Sequence, residues 1–149
     1  MKKRISIPTI EPAAYEAMSK LEQYTKNASL PPLLREMIKI RASQINSCAY
    51  CIDMHTIDAT KMGETPRRIF ALSAWKESPL FTEQERVVLQ LTEEVTLIGQ
   101  SGVSDETYNN VLKFFSENEL AQLIMQIIVI NGWNRMTIST NQIFEPKDQ

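Results

Sequence analysis

The chain has 149 residues and a formal net charge of −2, with 43% hydrophobic and 23% charged residues. This composition is ordinary for a globular protein, and it has no basic excess that would attract nucleic acid or anionic lipid. The length suits one domain with a hydrophobic core of its own, so that no disulfide is needed for folding. We therefore predict a single domain over residues 1–149.

Neither a targeting segment nor a membrane span is predicted. The N-terminus has a basic start but no apolar run after it, which argues against a signal peptide. The most apolar stretch, residues 120–130, is shorter than the roughly 20 residues that a membrane-spanning helix needs. We therefore expect a cytoplasmic location, where two cysteines more often serve catalysis or metal binding than structure.

Helix signals are frequent along the chain, and strand signals are scarce. Apolar residues at helical spacing predict a first helix over residues 11–27. A second helix is predicted over residues 32–45, where a proline opens it at little cost. Ser47 is the predicted N-cap of a third helix, which runs to residue 62 and is stopped by Gly63.

Four more helix starts follow, each marked by a Ser or Thr cap: Thr65, Thr82, Ser104 and Ser116. Glu85 and Glu119 complete capping boxes at two of these starts. The last helix, which runs to about residue 138, is apolar on nearly every face over residues 120–130. A helix of this kind is buried on all sides, so we expect it to be both a central core helix and part of a subunit interface.

Both cysteines and the only histidine lie within the nine residues SCAYCIDMH. With Ser47 as the N-cap, Cys48, Cys51 and His55 form one ladder at the start of a helix, because residues three and four apart are neighbours. A helix N-terminus stabilises a thiolate, and a nearby imidazole can take the thiol proton. A Cys-x-x-Cys pair can close a disulfide once one sulfur is oxidised. The spacing therefore favours an activated thiol, and the helix position favours both cysteines.

The preceding helix contributes two further charged residues. Glu36 lies at the edge of its apolar arc, and the short link before Cys48 folds the two helices together. We therefore expect Glu36 to face His55 and fix its tautomer, as the orienting carboxylate of a triad does. Arg41 falls near the middle of the same arc, where an unpaired cation is costly. We expect it to pair with an acid, the candidates being Glu36, Asp53 or a carboxylate of a neighbouring subunit.

This set of residues resembles the signature of the alkylhydroperoxidase AhpD-like family, within the carboxymuconolactone decarboxylase superfamily. Glu36 is followed by eleven residues, then by Cys48-Ala-Tyr-Cys51, then by three residues and His55. The flanking sequence REMIKIRASQINSCAYCIDMHT resembles the family core almost throughout. The later stretches FTEQERVVLQLTEEVT and INGWNRM resemble the helices that follow it. The likeness covers roughly residues 33–136.

The resemblance implies an all-α orthogonal bundle of about six to seven helices that assembles into homo-oligomers, commonly trimers or hexamers. It also implies an antioxidant peroxidase that reduces hydroperoxides. Carried onto this chain, Cys51 would be the peroxidatic sulfur and Cys48 the resolving one, with Glu36 and His55 as a proton relay. Some members have a second histidine directly before the second cysteine, where this chain has Tyr50.

No flavin or nicotinamide fingerprint is present, so we expect no bound cofactor. Reducing equivalents would then come from an external dithiol, such as a lipoyl group, a thioredoxin-like protein or a small thiol.

Two other interpretations of the same residues stay open. One is a lyase or isomerase acting on a lactone or β-keto acid, like the decarboxylase branch, although that branch typically lacks paired cysteines. The other is a redox sensor or metal-binding module. Its four-ligand zinc set would be Cys48, Cys51, His55 and Glu36. We predict no metal, because three of these residues share one continuous helix, whereas compact Cys-x-x-Cys zinc sites more often use a turn.

Overall fold

The computed structural model describes residue 2 and residues 4–143. Within these residues it has nine α-helices, one 3₁₀ turn over Leu72–Ala74 and no strand. The helices are α1 (Ile7–Ile10), α2 (Pro12–Lys26), α3 (Pro32–Ile45), α4 (Ala49–Lys61), α5 (Pro66–Ala71), α6 (Glu83–Thr96), α7 (Ile98–Ser101), α8 (Asp105–Leu112) and α9 (Glu117–Ser139). The all-α prediction is confirmed. Seven of these helices were predicted, whereas the four-residue helices α1 and α7 were not.

Local capping explains why α6, α8 and α9 begin where the sequence predicted. Thr82 and Ser116 each accept a hydrogen bond from the backbone N–H three residues later, and Glu85 and Glu119 return the bond to the cap residue. Ser104 caps α8 in the same way, through the N–H of residue 107. Each cap satisfies donors that a helix start otherwise leaves unpaired, so these starts depend on local sequence alone.

Helix α3 lies between two groups of buried apolar side chains. Its residues Leu34 and Ile38 pack in one group with side chains of α6, α8 and α9. Its residues Met37 and Ile40 pack in the other group, with side chains of α4, α6 and the 3₁₀ turn. Two faces of α3 are therefore buried in the core. This packing holds the helix in place, and so it also fixes the position of the polar side chains on the rest of α3.

Helix α9 is less completely buried than its sequence predicts. Leu120, Leu123 and Ile127 belong to the core group shared with α3 and α6. Ile128 is 48% exposed, so within this chain the expectation of burial on every side is wrong. The subunit interface that we expect from the same apolar run stays a prediction. No helix of the described residues is both long enough and apolar enough to cross a membrane.

Candidate active site

The link between α3 and α4 differs by one residue from the sequence prediction. Cys48, not Ser47, is the N-cap of α4. Ser47 has a φ of 57°, in the left-handed region, and the N–H of Cys48 donates to the carbonyl of Ser43 at 3.0 Å. This is the closing bond of a Schellman motif, which ends α3 with a serine where glycine is usual. Because Ser47 ends one helix, it is not available to cap the next.

The two cysteines form a disulfide, with their Cα atoms 5.4 Å apart. Both are buried, at 1% and 2% exposure, but only Cys51 is among the residues that line the adjoining cavity. The first turn of α4 has backbone N–H groups without intrahelical partners, and their partial positive charge favours a thiolate in the reduced form. Of the two cysteines, Cys51 is therefore the one that borders the cavity.

Glu36 and His55 are in direct contact, as predicted. The Nδ1 atom of His55 lies 2.8 Å from Oε2 of Glu36, and both side chains are buried. Burial raises the pKa of the Glu36 carboxyl, but the hydrogen bond from His55 and the positive charge of Lys39 outweigh it, so that the pKa lies below 4.5. Glu36 is thus an ionised acceptor that orients the His55 ring through Nδ1, and no hydrogen bond joins the Nε2 of His55 to another described residue.

Lys39 continues the arrangement on the other side of Glu36. Its ammonium lies 3.1 Å from Oε1 of Glu36 and 3.0 Å from Oε1 of Glu22, which comes from α2. The indole N–H of Trp133 in α9 donates to the second oxygen of Glu22 at 3.1 Å. The four side chains His55, Glu36, Lys39 and Glu22 are called the charge chain below. Its members alternate between a nitrogen group and a carboxylate and come from three helices.

A cavity of about 700 Å³ adjoins the charge chain. The apolar part of its wall comes from the segment before α2, from α2 itself, and from α4 and α9: Ile5, Ile7, Pro8, Tyr15, Met54, Met62, Trp133 and Met136. Tyr50 also lines it, one residue before Cys51. The volume falls within the range of pockets that enclose small organic molecules, so the site can hold a substrate much larger than water.

The metal-binding interpretation fits the observed donors poorly. The disulfide leaves neither sulfur available as a thiolate ligand. One oxygen or nitrogen atom each of Glu36, His55 and Asp58 lie within 4.8 Å of one another. However, the Lys39 ammonium already binds Glu36, and its positive charge opposes a cation at the same carboxylate. We therefore do not assign these residues as metal ligands.

Arg41 pairs with an acid, but not with any that the sequence suggested. Its Nε and Nη2 donate to one oxygen of Glu93 in α6, at 3.0 and 2.7 Å. Trp75 donates to the same oxygen at 2.7 Å. Burial raises the pKa of Glu93, but the hydrogen bonds from Trp75, Lys76 and Arg41 outweigh it and lower the pKa. Arg41 therefore serves α3–α6 packing, and this partner was missed because the pair is 52 residues apart.

Sequence reasoning also missed Lys39 and Glu22. Lys39 had a usable signal, because it follows Glu36 by three residues on one helix, and that spacing favours an ion pair. Glu22 had none, because its contact with Lys39 spans 17 residues and two helices.

Comparison with known proteins assigns the family. Residues 12–94 match the carboxymuconolactone decarboxylase family. The uncharacterised protein YdfG of Bacillus subtilis (strain 168) is 45% identical over 139 residues, which cover 93% of this chain and 95% of YdfG. The chain belongs to the carboxymuconolactone decarboxylase family.

Solved structures place this family member in the AhpD-like fold. A protein of unknown function from Agrobacterium tumefaciens, named as a candidate antioxidant defence protein AhpD, superposes with a TM-score of 0.95 at 34% identity, covering 98% of this chain and all of the other. The AhpD-like resemblance is thereby confirmed. The debrominase Bmp8 shares the fold alone, with a TM-score of 0.81 at 18% identity, covering 91% of this chain and 73% of Bmp8.

Proposed function

We propose that this family member is a thiol peroxidase that reduces hydrogen peroxide or organic hydroperoxides through Cys51 and Cys48. One observation carries the proposal. Cys51 lines a cavity of about 700 Å³ together with His55 and Glu36, and it is bonded to Cys48, which does not line that cavity. A reactive sulfur beside a substrate space and a second sulfur within bonding reach are what a two-cysteine peroxidase needs.

In the reduced protein, the thiolate of Cys51 attacks the outer oxygen of the peroxide. The O–O bond breaks, Cys51 becomes a sulfenic acid, and the other oxygen leaves as an alkoxide or hydroxide. His55 lies one turn after Cys51 on α4, its Nδ1 faces Glu36, and its Nε2 has no hydrogen-bond partner among the described residues. We assign it to move the proton from the thiol to the leaving oxygen, directly or through water, while Glu36 holds the ring.

The second step uses Cys48. Its thiol condenses with the sulfenic acid of Cys51, which releases water and forms the disulfide seen in the structure. An external dithiol then reduces the disulfide by thiol–disulfide exchange and is itself oxidised to a disulfide. A small dithiol, a lipoyl group or a thioredoxin-like protein has the chemistry to do this. The need for a continuing supply of reductant agrees with the predicted cytoplasmic location.

Peroxide consumption tests the proposal. Cumene hydroperoxide is supplied with excess dihydrolipoamide, and its loss is followed for the wild type, Cys51→Ser and Cys48→Ser. We expect turnover in the wild type and none above background in Cys51→Ser. When reduced Cys48→Ser is freed of dithiol and given peroxide, we expect it to stop at a sulfenic acid, which dimedone labels at Cys51. The proposal is wrong if the wild type consumes no more peroxide than the dithiol alone, or if Cys51→Ser retains the activity.

A homo-oligomer, either a trimer or a hexamer, is part of the same proposal. It is supported by large apolar side chains that this chain leaves exposed, such as Phe70 at 78% and Ile128 at 48%. Sedimentation velocity of the purified protein measures the subunit count. A monomer at micromolar concentration would contradict this part.

A further inference from the structure

We propose that Lys39 and Glu22 set how readily the Glu36–His55 pair gives up its proton, so that α2 contributes a positioning residue to the site. The inference rests on the proposed function, in which that pair serves the Cys51 thiol. It assigns no direct contact with substrate to either residue. It states that Lys39 and Glu22 shift the pH at which the Glu36–His55 pair loses its proton, and that they shift it in opposite directions.

The geometry makes the charge chain continuous. Glu36 uses one oxygen for His55, at 2.8 Å, and the other for Lys39, at 3.1 Å. Lys39 divides its ammonium between Glu36 and Glu22, at 3.1 and 3.0 Å. The Lys39 side chain is only 10% exposed, so solvent screens its charge weakly. A change at Glu22 therefore reaches Glu36 through a shared ammonium.

Lys39 favours the ionised form of a buried carboxylate. Burial of Glu36 disfavours its negative charge, and the positive charge and hydrogen bond of Lys39 help to outweigh that cost. Without Lys39, the carboxylate has His55 as its one remaining partner in the charge chain. The Glu36–His55 pair then keeps its proton to higher pH, whichever of the two carries it.

Glu22 acts in the opposite sense. Its carboxylate offsets part of the Lys39 charge and holds the ammonium from the α2 side. If Glu22 is made neutral, the Lys39 charge acts on Glu36 without this offset, and the pair releases its proton at lower pH. The Glu22 side chain is 31% exposed, so solvent screening makes its effect smaller than that of Lys39.

Other titratable groups around the cavity are unchanged by either substitution. Among the described residues that line it, they are Tyr15 and Lys26 of α2, Arg35 of α3, and Tyr50 and Asp58 of α4. The lining residues of α9 and of the segment before α2 include no titratable side chain. A carboxylate oxygen of Asp58 lies within 4.8 Å of the pair, and its charge is the same in all the variants.

The test measures thiol reactivity and needs no peroxide. In a reduced Cys48→Ser background, Cys51 is alkylated by iodoacetamide across the pH range, and the midpoint of the rate profile is compared among variants. A pair that holds its proton more strongly takes the proton of the Cys51 thiol at lower pH. We therefore expect Lys39→Met to lower the midpoint by about 1 pH unit and Glu22→Gln to raise it by a smaller amount. Lys39→Arg keeps the positive charge and should restore most of the wild-type midpoint.

Matched controls separate the proposal from a general loss of structure or charge. Lys20→Met and Glu16→Gln remove the same charges from an exposed ion pair of α2 and should leave the midpoint unchanged. In a His55→Gln background, the Lys39→Met shift should fall to less than half, because the pair through which it acts is gone.

Two outcomes would overturn the inference: shifts of the same sign at Lys39 and Glu22, or a Lys39 shift that persists without His55. Because Glu22→Gln alters a partly exposed residue, it remains a test even if Lys39→Met does not fold. A wild type that consumes no peroxide would overturn the proposed function and leave these alkylation profiles fully interpretable.

Discussion

Replacing Glu36 with glutamine tests whether the buried carboxylate stabilises the fold as an anion. Glu36 is 5% exposed and accepts two charge-assisted bonds, from His55 at 2.8 Å and Lys39 at 3.1 Å. Breaking a buried ion pair by removing one partner costs about 3–5 kcal/mol. Lys39 keeps Glu22 as a partner, and glutamine keeps the volume and one acceptor oxygen. We therefore expect Glu36→Gln to lower the free energy of unfolding by about 2–3 kcal/mol at pH 7.

The stability that Glu36 contributes should depend on pH in a definite direction. The folded-state pKa of Glu36 lies below its ordinary value of 4.5. A lowered carboxyl pKa stabilises the fold above the unfolded-state pKa, and this stabilisation is lost as the pH falls through the folded-state pKa. Glutamine does not titrate, so the stability difference between wild type and Glu36→Gln should be largest at neutral pH and shrink below about pH 4.5.

Urea unfolding of the disulfide-bonded protein, followed by circular dichroism at a series of pH values, measures both quantities. Glu16→Gln is the matched control, because Glu16 is on the surface of α2 in an exposed pair with Lys20. It should change stability by less than about 0.5 kcal/mol. The reasoning fails if Glu36→Gln is no worse than Glu16→Gln at pH 7, or if its deficit does not change as the pH falls.

Three further substitutions test the helix ends and the Arg41 contact by thermal or urea unfolding. Ser47→Gly should raise the free energy of unfolding by about 0.5–1 kcal/mol, because Ser47 holds a left-handed φ of 57°; a loss would contradict this. Gly63→Ala should lower the free energy of unfolding by about 1–2 kcal/mol through backbone strain at φ +98°. An added Cβ meets nothing within 4 Å, so a steric clash does not contribute, and an unchanged value would argue against strain. Glu93→Gln should lower it by about 2–3 kcal/mol by weakening the bonds from Arg41 and Trp75, and a neutral result would show that the pair is dispensable.

Much of the secondary structure and the core of the site could be read from short-range patterns. The capping boxes at Thr82 and Ser116 depend on residues three apart, and the structure has both. Cys51 and His55 share a helix, so their proximity follows from helical spacing. Glu36 required one further step, the folding together of α3 and α4 over a short link, and the contact with His55 is present.

The error at Ser47 shows where local signals compete. A serine before a helix is a good N-cap, but the same residue also followed the end of α3. The backbone closed α3 with a bond from Cys48 to Ser43 and took Ser47 into the left-handed region. Gly63, at the end of α4, has φ +98° and was predicted correctly, because glycine signals this conformation and serine does not.

The sequence by itself determined seven of the nine helices of the described residues and the ladder of Cys48, Cys51 and His55, because both depend on interactions within a few residues. Only the tertiary structure decided that Glu22 completes the charge chain and that Glu93 holds Arg41. These contacts span 17 and 52 residues. They depend on packing that places α6 against both apolar faces of α3 and α2 against α9, where the ring of Tyr15 contacts that of Trp133. Helix propensity and periodicity contain no information about that packing.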